Sequence, residues 1–182
     1  MNPCINVYAL LLAMIIEVGF QESKSIADDN LLQSDVAGIY QKLVDEEIDQ
    51  IEILHIPAYV ESYSRVTPER LQKGFFYRLT IRTDPNRSLE KELVEALKTF
   101  KVQPSSEGTD LRWGIIFYDH KMRRVGAIFF GRVGSKGVIG STDMHCNNSL
   151  FDWLVSHFSC CFGEQKEDTT KVKPGQKGNK SN

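Results

Sequence analysis

Two acid–histidine pairs and a series of glycines are the residues whose types and spacing could do chemistry. Asp119 stands beside His120, and Asp143 stands two residues before His145. Adjacent strand residues point to opposite faces, whereas residues two apart share one. Asp143 and His145 would therefore face the same way if their segment is extended. Ser141 and Cys146 are the neighbouring candidate nucleophiles. A nucleophile must lie within hydrogen-bond reach of its base, and Cys146 would diverge from the adjacent His145. The competing readings are a turn for the first pair and a helix-capping loop for the second. A small hydrolase-like or transferase-like enzyme built on Asp143 and His145 is one alternative. No residue is assigned a catalytic role, and the balance leans away from an enzyme.

Gly131, Gly134, Gly137 and Gly140 invite a phosphate-loop reading. That loop needs G-x-x-x-x-G-K-[ST] running into a helix. Here Lys136 precedes Gly137 and a strand follows, so hairpin turns and close strand packing explain the glycines better. The four histidines, His55, His120, His145 and His157, show neither i, i+4 pairing nor H-x-H spacing. The adjacent Cys160 and Cys161 lack metal-ligand spacing as well. No metal site and no cofactor is assigned.

Binding is the remaining class. Lys121, Arg123 and Arg124 cluster at one turn, with Arg132 and Lys136 nearby. Arg78 and Arg82 fall on the outer face of a half-buried strand. Arg78, Arg82, Lys121, Arg123 and Arg124 are the candidate binding residues, suited to an acidic partner or anionic surface. A solvated turn is the simpler reading of the cluster. Tyr59, Tyr63, Phe76, Trp113, Phe117 and Phe129 exceed what one face of a small core needs, and Phe76 shares a strand face with Arg78 and Arg82. Aromatic and arginine side chains together are what binding surfaces use.

The elements that must carry these residues follow from periodicity. Leu32, Val36, Ile39, Tyr40 and Leu43 recur at helical spacing, and the acidic run Asp45–Glu47 predicts a stop near Val44. Ile51–Ile56 reads as a strand. Thr67 followed by Pro68 predicts the start of a short helical turn. Phe75–Thr83 alternates apolar and polar, as a half-buried strand does. Ser88 is expected to cap a helix over Leu89–Phe100, with Leu89, Leu93, Leu97 and Phe100 as its stripe. Leu111–Tyr118, Val125–Phe130 and Val138–Thr142 read as three more strands, and a last helix covers about Ser149–Phe158. Short connections imply antiparallel pairing. The expected fold is α+β: a roughly five-stranded, mostly antiparallel sheet with two or three helices packed on one face.

The chain of 182 residues suits one domain with extensions. A net charge of −2 gives no basic excess, so no nucleic-acid partner is expected. The run Ile5–Ile16 is apolar apart from Asn6. It falls short of the ~20 residues that span a bilayer, so no integral membrane span is expected. It fits the apolar region of a secretory signal, although no Lys or Arg precedes it and no clean A-x-A site follows. A packed N-terminal helix is the alternative. Residues 1–20 are thus read as a signal or apolar helix, 21–30 as a linker, 31–162 as the domain, and 163–182 as a disordered polar tail. A helix of about ten residues separates Cys146 from Cys160 by roughly 15 Å, well beyond the ~7 Å limit of a disulfide. Cys146, Cys160 and Cys161 are expected to be small buried hydrophobes. The leading function is a non-catalytic, secreted or periplasmic protein with a protein partner; an intracellular regulatory or immunity-type binding protein is a further alternative.

Overall fold

The computed structural model describes residues 30–162. The expectations for the apolar start, for the linker other than Asn30, and for the tail lie outside the described residues. Residues 30–44 form helix α1, which buries Leu32, Val36, Ile39 and Leu43 along one side. Its end at Val44 is where the acidic run placed it. Strand β1 (Ile48–His55) follows, then helix α2 (Pro68–Gly74), β2 (Tyr77–Arg82), α3 (Ser88–Thr99) and the short β3 (Val102–Pro104). Strands β4 (Leu111–Asp119), β5 (Arg124–Gly131), β6 (Lys136–Ile139) and β7 (Thr142–Cys146) lead to α4 (Ser149–Phe158) and a 3₁₀ turn at Cys160–Phe162.

The strands make one sheet in the order β2-β1-β4-β5-β6-β7-β3, and every pairing is antiparallel. The α+β class stands, with seven strands instead of about five. Two were missed for different reasons. β3 is three residues long and contains Pro104, too short for a period-two pattern to register. Gly140, at φ 60°, turns the chain back within what read as one strand. The segment expected to be a helix-capping loop is therefore β7, paired through Val138↔Asp143 and Lys136↔His145.

The helices do not all lie on one face. Residues of α1, α3 and α4 share a core with Ile51, Ile53, Trp113, Ile115, Phe117, Ile128 and Phe130. Leu71 of α2 packs instead with Leu54, Ile116, Ala127 and Phe129, whose side chains alternate with the first set and so point the other way. Both faces of β4 are consequently buried, which is why its sequence is almost continuously apolar. Thr67 caps α2, its Oγ1 accepting from Arg70 N at 3.4 Å, with Pro68 in the first turn. The cap position of α3 is Arg87, without a side-chain bond, and Ser88 is its first helical residue. No helix among the described residues is long and apolar enough to cross a membrane.

Candidate functional site: a pinned aromatic groove beside a basic sheet face

β2 is an edge strand whose residues alternate half-buried and exposed. Tyr77, Leu79 and Ile81 pack on the three-helix core, which leaves Arg78, Thr80 and Arg82 on the side that α2 only partly covers. Register sets the layout there. Arg82 pairs with Gln50, Gln50 with Tyr118, and Tyr118 with Arg124. Arg82 and Arg124 thus stand in one row, about 14 Å apart at the usual strand spacing. The sheet brings Arg78, Arg82 and Arg124 to a common face. Lys121 and Arg123 stay in the β4–β5 turn at its end.

These five cations are not equivalent. The Arg78 Nε donates to Glu52 Oε1 at 2.9 Å, and its guanidinium lies 4.2 Å from the centre of the Phe75 ring. The Tyr118 hydroxyl donates to Glu52 Oε2 at 3.0 Å; burial first, then this carboxylate, raises the phenol above its ordinary range. Arg123 belongs to the turn: its Nε and Nη2 both lie 2.7 Å from Asp119 Oδ2. Asp119 Oδ1 also accepts from the backbone N of Lys121 and of Arg123, at 2.8 Å each. Burial pushes the Asp119 carboxyl up, but these hydrogen bonds and the Arg123 charge outweigh it and hold the group below its usual value. Arg124 reaches Gln72 Oε1 at 3.4 Å. Among the described residues no carboxylate pairs with Arg82, Lys121 or Arg124.

The exposed aromatics gather around the connection from β1 to α2. Tyr63 is 111% exposed and Phe76 60%, and both line a groove of about 470 Å³ floored by Ile56, Val60 and Val66. Arg70 and Lys73 of α2 are on its wall, opposed by Glu69. Trp113, Phe117 and Phe129, by contrast, are buried. Three arginines hold the connecting segment. Arg112, only 4% exposed, donates from Nη1 to Val60 O at 2.7 Å and from Nε and Nη2 to Asp110 Oδ2 at 3.0 and 2.6 Å. Asp110 Oδ1 in turn accepts from Val66 N at 2.8 Å. Arg65 donates to Thr109 O at 2.8 Å, and Arg132 to Ala58 O at 3.0 Å. The sequence reading missed this arrangement. Its one signal was an arginine inside the apolar run of β4.

Asp143 and His145 do share a face, as their spacing implied, but among the described residues they meet no nucleophile. Asp143 is bound by Arg65 at 2.5 Å. Cys146 packs against the three-helix core, its thiol donates to Gly134 O at 3.1 Å, and burial pushes it up to about 12. A thiol so protonated is a poor nucleophile. Ser141 is exposed in the β6–β7 turn. The glycine series is absorbed by the hairpin: Gly134 takes φ 75° against the Phe151 ring, and Gly137 meets the Phe129 carbonyl. Cys146, Cys160 and Cys161 are free thiols. Cys160 and Cys161 are exposed, against the buried positions expected of them, because the 3₁₀ turn directs only Phe162 inward.

Comparison with family models, with curated protein sequences and with solved structures gave no match for this chain.

Proposed function

We propose that this chain is a non-catalytic binding domain whose basic, aromatic groove receives an acidic, apolar-anchored segment of another protein. The observation that carries the reading is the pair Tyr63 and Phe76, both exposed and both lining one groove whose backbone is tied down by a buried arginine. Large aromatic side chains held open on a fixed frame lose little entropy on binding and serve as anchors. Arg70 and Lys73 line this groove against Glu69 as the one acid of its lining, and Arg124 reaches Gln72 of α2 from the adjoining sheet face, an excess of cations that favours an acidic segment through complementary charge. A protein partner fits better than nucleic acid, since the chain as a whole carries net charge −2.

Selection from random dodecapeptides displayed on phage tests this. The expected yield is enriched in Asp and Glu next to Leu, Phe or Trp. Peptides without acidic enrichment, or peptides that bind a Tyr63→Ser/Phe76→Ser variant equally well, would contradict it.

Export from the cytoplasm, to the periplasm or outside the cell, belongs to the same reading. Its support is the apolar run Ile5–Ile16, of the length that secretory signals use. N-terminal sequencing of the mature protein is expected to begin near residue 20. An intact Met1 on soluble cytoplasmic protein would overturn that part alone. The same reading takes residues 31–162 as the folded unit.

A further inference from the structure

Across the molecule from the groove, a cavity of about 420 Å³ opens between the end of α1, the start of β1 and the first turns of α3. Leu43, Val44, Ile48, Pro85 and Val94 give it an apolar wall. Glu46, Asp49, Glu90 and Glu95 also line it, against the single cation Lys91.

Glu90 is the unusual member. It is 4% exposed, whereas a glutamate is almost never fully buried without a partner. Its Oε1 accepts from the Asp84 backbone N at 3.3 Å, beside Thr83 and Pro85 of the same wall. Its Oε2 is buried and meets no hydrogen-bond donor among the described residues. A buried carboxylate oxygen without a donor is costly, and a donor supplied from the cavity would remove that cost.

We infer that this cavity binds a primary ammonium group carried on a short aliphatic stem. The acids select a cation, and the apolar wall selects an organic one. The described residues contain no cluster of three or more metal-ligating groups, which disfavours a bare metal ion. No aromatic ring lines the cavity, so it lacks the cage that quaternary ammonium groups use. A primary ammonium has three N–H donors for carboxylate oxygens. The volume lies within the range of small-ligand sites, roughly 300–1,000 Å³.

Amide shift perturbation on the full chain tests this, with 1,5-diaminopentane as probe and pentan-1-ol, pentanoate and tetramethylammonium as controls. The diamine is expected to give saturable shifts at Val44, Glu46, Asp49, Lys91 and Val94, and the controls none. Glu90→Gln is expected to weaken the diamine about tenfold or more. Val94→Trp, which fills the cavity without altering charge, is expected to abolish binding while the melting temperature is retained. Nα-acetyl-lysine methylamide separates the sources: tighter binding than the diamine assigns the ammonium to a peptide lysine, weaker binding to a free amine. The inference is overturned if pentan-1-ol shifts the same amides as strongly. It is also overturned if both variants bind as wild type, or if millimolar diamine leaves these amides unmoved.

Discussion

Replacing Arg112 by alanine is expected to destabilise the fold by about 3 kcal/mol. The residue is buried, and its guanidinium joins Asp110 to the Val60 carbonyl. Its loss leaves a void where the buried guanidinium lay and the Val60 oxygen without its donor, whereas Asp110, 41% exposed, is taken over by water and adds little to the cost. Leaving such an oxygen unpaired costs more than its hydrogen bond contributes. Thermal unfolding should fall by roughly 10 °C for a unit of this size. Amides between Ile56 and Val66 should exchange faster than those of β4 and β5, because the connecting segment loses its central tie. Arg65→Ala is the control. That side chain is 43% exposed, and solvent screening limits its pair with Asp143 to under about 1 kcal/mol. Equal effects of the two substitutions would remove Arg112 from its special place.

The second large effect is expected at Gly137. A Cβ there would lie 2.0 Å from the Phe129 carbonyl oxygen and 2.8 Å from Met144 Cε. The first of these is backbone within the β5–β6 pair and cannot turn aside. Gly137→Ala should therefore cost about 3 kcal/mol or more by forcing the strands apart. Gly38→Ala is the opposite case. Its Cβ would meet nothing within 4 Å, and in the exposed side of α1 it should stabilise by about 0.5–1 kcal/mol. Urea unfolding of the two variants reads both signs. A Gly137→Ala protein as stable as wild type would mean that β6 is held less closely than the structure places it.

Much of the fold was legible because local signals and tertiary packing agree. Thr67-Pro68 starts α2, the Leu93–Leu97–Phe100 stripe faces the core, and the alternation through β2 divides buried from exposed side chains. The failures occurred where local pattern is silent. β3 has three residues, and nothing in a three-residue segment reports that Ser105 N will bond Asp143 O across the sheet. The side taken by α2 was misjudged although a clue was present: an apolar run on both alternations of β4 requires a cover on each face. By its place in the first turn of α3, Glu90 has the pattern of an ordinary favourable charge at a helix N-terminus. Only packing shows that it is buried beside a cavity.

The candidate site was legible in part. Period-two spacing placed Arg78 and Arg82 on an outer face, and register then added Arg124 from a distant strand. Arg123 belongs to the turn as well as the surface, because Asp119 holds it. Tyr63 stood among six aromatics in excess of core needs, but sequence alone did not separate it from the buried Trp113, Phe117 and Phe129. It sits in a segment without periodicity, and an exposed tyrosine there looks the same as a buried one. Arg112 could have been noticed, since a charge amid apolar strand residues must find partners.

The proposed binding role centres on the groove lined by Tyr63 and Phe76. Its most direct test is the dissociation constant of a selected acidic peptide for wild type and for Tyr63→Ser/Phe76→Ser, at matched salt and with melting temperatures compared. The account predicts a loss of about thirtyfold or more, the size expected when anchor residues are removed, with the melting temperature unchanged because both side chains are exposed. Equal affinity for the two proteins would contradict it.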